Sequence, residues 1–189
     1  AQGKNSTTSA FEIESYVEMV HQFMDSLGIE SAPVFGHSMG GSVALQMALM
    51  HPDRVQKVAI VGSPIVGTSL NPLLQLAGYG HIAKLIWRYP ILLQTTMQIV
   101  LARDSRRVRN MIFRDVQRTT LESFFRSIGD LRDTDLTKDL ARLTMPTMGI
   151  FGAKDNIVSP KNGRILQKHV PHAQVAWLDK SRHFPMIDE

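Results

Sequence analysis

The segment Val34-Phe35-Gly36-His37-Ser38-Met39-Gly40-Gly41 constrains this chain more than any other stretch. It reads as a strand running into a helix through a serine held on a forced turn. Glycines two residues either side of Ser38 would remove side chains expected to collide where the backbone folds back tightly. The hydroxyl is then left exposed above the sheet edge. A helix starting there also aims free backbone N–H groups at the place where a carbonyl oxygen would become negative, and the Met39 N–H is the natural first donor. One loop would thus supply a nucleophile and half of an oxyanion hole.

A glycine-flanked serine is common by chance, and a helix-capping serine in a glycine-rich turn is the plainer explanation. The flanking sequence separates the two. Upstream, Ser9-Ala10-Phe11-Glu12 has the form of a capping box, and Ile13, Tyr16, Val17, Val20, Phe23, Met24 and Leu27 keep helical spacing up to Gly28. This predicts an amphipathic helix laid on a sheet. Downstream, Val43, Ala44, Leu45, Met47, Ala48, Leu49 and Met50 are apolar on nearly all sides, which suits a buried central helix ended by His51-Pro52. Val55 to Val61 then reads as a second buried strand. Helix, strand, turn, helix, strand is the α/β order that an exposed nucleophile requires.

A serine hydroxyl is a weak nucleophile at neutral pH; it needs a base, and the base needs an orienting carboxylate. Met145 to Gly152 reads as a buried strand, and Ala153-Lys154-Asp155-Asn156 places an acid in the loop beyond its carboxyl end. Ser159-Pro160 opens a helix to about His169, and Val175 to Leu178 forms a short last strand followed by His183. Asp155 and His183 are therefore expected after adjacent parallel strands, at the sheet edge that carries Ser38. Asp155 also suits an ordinary turn acid, and His183 a solvated loop histidine.

The order Ser38, Asp155, His183, together with Gly36-His37-Ser38-Met39-Gly40-Gly41, Phe151-Gly152-Ala153-Lys154-Asp155 and His183-Phe184-Pro185-Met186, resembles the α/β-hydrolase superfamily, most closely its lid-bearing serine esterase and peroxidase-like branch. The resemblance covers nearly the whole chain outside a middle insert. It implies a nucleophile at Ser38, a general acid and base at His183, an orienting carboxylate at Asp155 and an oxyanion donor at the Met39 backbone. A serine at the elbow argues against the dehalogenase and epoxide-hydrolase branches. No carboxylate follows the strand ending near Gly62-Ser63-Pro64, where some members of the superfamily keep theirs. His37 is expected to line the elbow. His21, His51, His81, His169 and His172 lie on helices or turns without metal-ligand spacing, so no metal and no organic cofactor is expected.

The resemblance also implies about four further strands ahead of the first helix, a His-Gly loop giving a second oxyanion donor, and a last helix beyond Glu189. The expectation is a fragment of a longer protein. Residues 1–64 and 141–189 would form the core, a parallel sheet with helices on both faces. Residues 65–140 would form a helical lid insertion over Ser38.

Leu73, Leu74, Leu76, Ile82, Leu85, Ile86, Trp87, Ile91, Leu92, Leu93, Met97, Ile99 and Val100 give the insert more apolar surface than a short helix pair needs. Part of it is expected to line an acyl-sized pocket, although packing of the lid itself explains most single positions. The formal net charge is +4, and the six arginines from Arg103 to Arg118 against Asp104 and Asp115 account for all of it. Such a run reads as a solvated helix face, or as attraction to anionic substrates or an anionic membrane surface. Without a recognition motif it does not point to nucleic acid. Ile82 to Leu101 is broken by Lys84, Arg88 and Pro90 and is no membrane span. With no cysteine there is neither a disulfide framework nor a thiol mechanism. A cytoplasmic location is the default expectation, and the oligomeric state is not readable.

The expected activity is hydrolysis of an ester-like or other carbonyl-centred bond in a small, largely apolar substrate through an acyl-enzyme. A cofactor-free peroxidase-like activity, carbon–carbon bond hydrolysis and a non-catalytic ligand-binding or receptor module on the same scaffold stay open at this level.

Overall fold

A computed structural model describes residues 11–101, 104–118 and 120–188; Ser9 and Ala10 of the expected capping box lie outside them, as do the side chains of Trp87 and Leu93. Helix α1 (Ile13–Ser26) leads into strand β1 (Ala32–His37), the buried helix α2 (Met39–Met50) and strand β2 (Val55–Val61). After the insert come β3 (Thr147–Gly152), α8 (Lys161–His169), β4 (Gln174–Leu178) and the short α9 (Pro185–Asp188). The four strands are all parallel in the order β1-β2-β3-β4.

Burial follows sequence pattern. On one sheet face Val34, Val58, Ile60, Phe151 and Val175 meet Leu45, Met47 and Ala48 of α2, Leu166 of α8, and Val17 and Met24 of α1. Truncating a fully buried member such as Leu45 costs about 2–5 kcal/mol in cores of this kind. On the other face Phe35, Ala59, Met148 and Gln174 share one register row, and Phe35 stands 64% exposed. Within α1 only Ile13, Val17 and Met24 are buried; Phe23 and Leu27, on the expected apolar stripe, are exposed. The helix lies beside α2 and a later helix over Leu121–Asp133, so its contact arc is narrower than its apolar arc. Gly28 ends it in the left-handed region, at φ +66°, where a side chain would be strained.

Between β2 and β3 the chain leaves the sheet for five helices: α3 (Pro72–Ala77), α4 (Gly80–Arg88), α5 (Pro90–Val100), α6 (Arg106–Arg118) and α7 (Leu121–Asp133). An antiparallel bridge between Val66 and Asp135 closes the neck of this excursion. Gly67 sits there so tightly against the Arg132 carbonyl that any Cβ would collide with it. The excursion is tied to α1 by the Asp130 carboxylate, which accepts from the Ile13 N–H at 2.7 Å.

Candidate active site

Ser38 is the one non-glycine residue with positive φ among the described residues, at φ 54° and ψ −128°. That strained turn between β1 and α2 persists because its surroundings over-determine it. The Ser38 N–H donates to the Val61 carbonyl at 2.9 Å, and a Cβ on Gly36 would drive into the Gly40 backbone. The structure corrects one part of the sequence reading here. A Cβ on Gly40 would meet nothing within 4 Å, whereas one on Gly41 would strike the Ser63 side chain. The second glycine that the elbow needs is therefore Gly41.

Asp155 and His183 arrive on the loops after β3 and β4. Asp155 is held from behind: its Oδ1 accepts the N–H groups of Ile157 at 2.8 Å and Val158 at 2.9 Å. Its Oδ2 faces His183 Nδ1 at 2.8 Å, with both side chains almost fully buried. Since the carboxylate only accepts, Nδ1 donates, which leaves Nε2 of the neutral ring free to accept the Ser38 hydroxyl 3.0 Å away. The loop bearing His183 is pressed onto Gly152, where a Cβ would strike the Ser181 and Arg182 backbone, and Lys154 N–H donates to the Ser181 carbonyl at 3.0 Å. Gly62, at φ +52°, leaves room behind the pair; a Cβ there would lie 3.3 Å from the His183 carbonyl and 3.4 Å from Asp155 Oδ2.

Ser38 and His183 open into a cavity of about 320 Å³ lined by the Met39 turn and by α1, α3, α5, α6 and α7. Of the insert residues singled out by sequence, Leu74, Met97 and Val100 line it. Ile82 and Ile86 instead pack inside the insert, and Leu73, Leu76, Leu85, Ile91, Leu92 and Ile99 are exposed. Much of the wall comes from residues that helical periodicity alone could not select, among them Ile112, Phe124, Ile128 and Leu131. Among the described residues no Asp, Glu, Lys or Arg lines it. Its polar point is a relay in which Tyr16 OH lies 3.0 Å from Ser127 Oγ, which donates to the Phe11 carbonyl.

A model of the alpha/beta hydrolase fold matches residues 1–189, the whole chain. The chain belongs to the α/β-hydrolase family. Its relatives include a pimeloyl-[acyl-carrier protein] methyl ester esterase of Neisseria meningitidis, 24% identical over 94% of this chain and 70% of that protein. A 2-hydroxy-6-oxononadienedioate/2-hydroxy-6-oxononatrienedioate hydrolase of a Pseudomonas species is 30% identical over 90% of this chain and 62% of that protein. An uncharacterised Mycobacterium bovis protein is 27% identical over 95% of this chain, which spans 58% of its length. Among solved structures, a hydrolase from Pseudomonas aeruginosa superposes with a TM-score of 0.78 at 22% identity, over 98% of this chain and 70% of that one. This last likeness is one of fold.

Beyond the α/β-hydrolase elbow, His37 has a definite place. Its Nε2–H donates to the His183 carbonyl at 2.7 Å, and its ring lies 4.8 Å from that of His183. Burial, then the neighbouring His183, pushes the His37 pKa below its ordinary value, so this donor is held as neutral imidazole.

The remaining histidines show no metal-ligand spacing along the sequence, but the tertiary structure brings two of them together with an acid. Ligand atoms of Glu18, His21 and His51 lie within 4.8 Å of one another. The two imidazoles are stacked, 4.2 Å apart and 9° from parallel, and Arg54 Nη1 donates to His21 Nε2 at 2.6 Å. A metal bound to imidazole sits in the ring plane about 2.0–2.1 Å from nitrogen, which two stacked parallel rings cannot both satisfy. The cluster fits better as a clasp between α1 and the turn after α2.

Proposed function

We propose that this chain is a serine hydrolase that cleaves an ester-like bond of a small, uncharged and apolar acyl substrate through an acyl-enzyme. The hydrogen-bonded series from Asp155 Oδ2 through His183 to Ser38 Oγ, at the mouth of an apolar cavity, carries this reading. His183 Nε2 takes the Ser38 proton as Oγ attacks the carbonyl carbon, and returns it to the leaving group. Asp155 holds the imidazole tautomer and stabilises its positive form. The Met39 N–H, at the start of α2, donates to the developing oxyanion. Water, activated by the same His183, then releases the acid. The relatives named as a methyl ester esterase and as a hydrolase of oxo-dienedioates support a carbonyl-centred reaction. The cavity favours an uncharged acyl group, because a free carboxylate would be desolvated among Leu74, Met97, Ile128 and Leu131 with no Lys or Arg beside it among the described residues.

The decisive experiment labels the protein with a fluorophosphonate and weighs it intact, beside Ser38→Ala. One adduct that vanishes in Ser38→Ala is the expected result, followed by faster hydrolysis of neutral acyl esters than of the corresponding ω-carboxylated ones. A folded wild type that takes up no label refutes the activated serine. Equal turnover of the charged esters refutes the assigned substrate class.

A further inference from the structure

From Arg54 to Arg103 the sequence contains no Asp or Glu. Within that stretch α4 and α5 turn about Tyr89 and show solvent an unusual surface. On α4, Leu85 is 51% exposed between the exposed cations Lys84 and Arg88, and Tyr89 follows at 48%. Helix α5 carries no charge at all, yet Ile91 is 64% exposed, Leu92 40% and Ile99 60%. Neither Lys84 nor Arg88 makes an ion pair among the described residues. Helix α6, which packs on α5 through Ile112, adds exposed Arg106, Arg107, Arg114 and Arg118 against the single exposed acid Asp115.

Large apolar side chains gathered in water at one helix turn, as Leu85, Tyr89, Ile91 and Leu92 are, mark a contact site. Its chemistry narrows the partner. Aliphatic side chains at a helix turn, an amphipathic tyrosine beside them and long cations whose stems lie along the same helix suit the boundary between acyl chains and headgroups. Among the described residues Lys84 and Arg88 stay outside any ion pair, although Glu122 of α7 borders the same surface pocket as Lys84, and the excess of cations over acids on α4 and α6 suits a surface of negative charge. No described helix is long and apolar enough to cross a membrane, so contact of this kind lies in the interface.

We propose that the exposed face of α4 and α5 docks on an anionic lipid bilayer. The inner side of α5, through Met97 and Val100, is a wall of the cavity beside Ser38. Docking places the opposite, exposed side of that same helix against the lipid. The binding itself does not depend on the hydrolase reading.

Sedimentation of the full chain with vesicles tests this, using pure phosphatidylcholine or phosphatidylcholine containing phosphatidylglycerol. The protein is expected to pellet with the anionic vesicles only and to be released by high salt. Lys84→Ala with Arg88→Ala should weaken binding about fivefold per cation, and Ile91→Gln with Leu92→Gln should weaken it at least about tenfold. Both pairs are exposed and outside the cavity, so melting temperature and turnover of a soluble short-chain ester should stay as in the wild type. Absence of pelleting at low salt overturns the proposal, as does equal binding to neutral vesicles or binding that neither pair of substitutions reduces. If wild type ignores vesicles but Ile91→Gln with Leu92→Gln dissolves a dimer seen by light scattering, the face is a contact between copies and the lipid assignment fails.

Discussion

Asp155→Asn tests the proposed relay where it is most tightly constrained. The carboxylate faces two ways, Oδ1 toward the N–H groups of Ile157 and Val158 and Oδ2 toward His183 Nδ1. An asparagine has one accepting end and one donating end. Its oxygen must turn to the two amides, because facing them with NH₂ would leave buried donors unpaired at about 1–3 kcal/mol each. The NH₂ group is thereby aimed at His183 Nδ1, which can then only accept. The single proton of neutral imidazole moves to Nε2, the atom 3.0 Å from Ser38 Oγ, and that atom can no longer take the serine proton. The expected loss is about 10⁴-fold in kcat, the size seen when such a tautomer is reversed. That corresponds to about 5 kcal/mol of barrier. KM should change little, since Asp155 is not part of the cavity wall. Both backbone hydrogen bonds survive, so the fold should too. Steady-state kinetics on a short acyl ester, with a thermal melt as control, reads the result. A folded Asp155→Asn that keeps more than about a tenth of wild-type kcat refutes the tautomer argument.

Two further outcomes follow from the same structure. Gly41→Ala, whose Cβ would strike Ser63, should lower stability by about 1–3 kcal/mol, while Gly40→Ala, with open space at that point, should leave it unchanged or raise it by up to about 1 kcal/mol. Chemical denaturation compares them, and the reverse order would refute the assignment of Gly41 as the constrained glycine. Asp104 is 5% exposed with Oδ2 unpartnered, and burial raises its pKa above the ordinary carboxylate value. A raised folded pKa means that the stability tied to this group is greatest below its unfolded value and is lost as pH rises through the folded one. Asp104→Asn, neutral throughout, should therefore be more stable than wild type near pH 7 and nearly equal to it below about pH 3. Equal melting curves for the two proteins at neutral pH would show that Asp104 carries no such penalty.

Much of the arrangement was legible in the chain because its signals are local. A period of two or 3.6 residues is imposed by the strand or helix itself, so β1, β2 and β3, the largely apolar α2 and the end of α1 at Gly28 could be read with no knowledge of what packs against them. The placement of Ser38, Asp155 and His183 at one sheet edge follows likewise from strand-loop order, since parallel strands put every such loop on the same side. Periodicity does not say which apolar side of a helix meets a partner. Leu85, Ile91 and Ile99 therefore read like Met97 and Val100, although the structure exposes the first three and buries the other two. Which glycine lacks room for a Cβ depended on Ser63, distant in sequence, and the clasp of Glu18, His21, His51 and Arg54 on two elements that never adjoin along the chain. The sequence by itself determined the elements, their order and the residue types offered to the site. Tertiary structure alone decided the distances, the hydrogen-bond directions and the cavity wall, because those depend on contacts between elements remote in sequence, which no local pattern encodes.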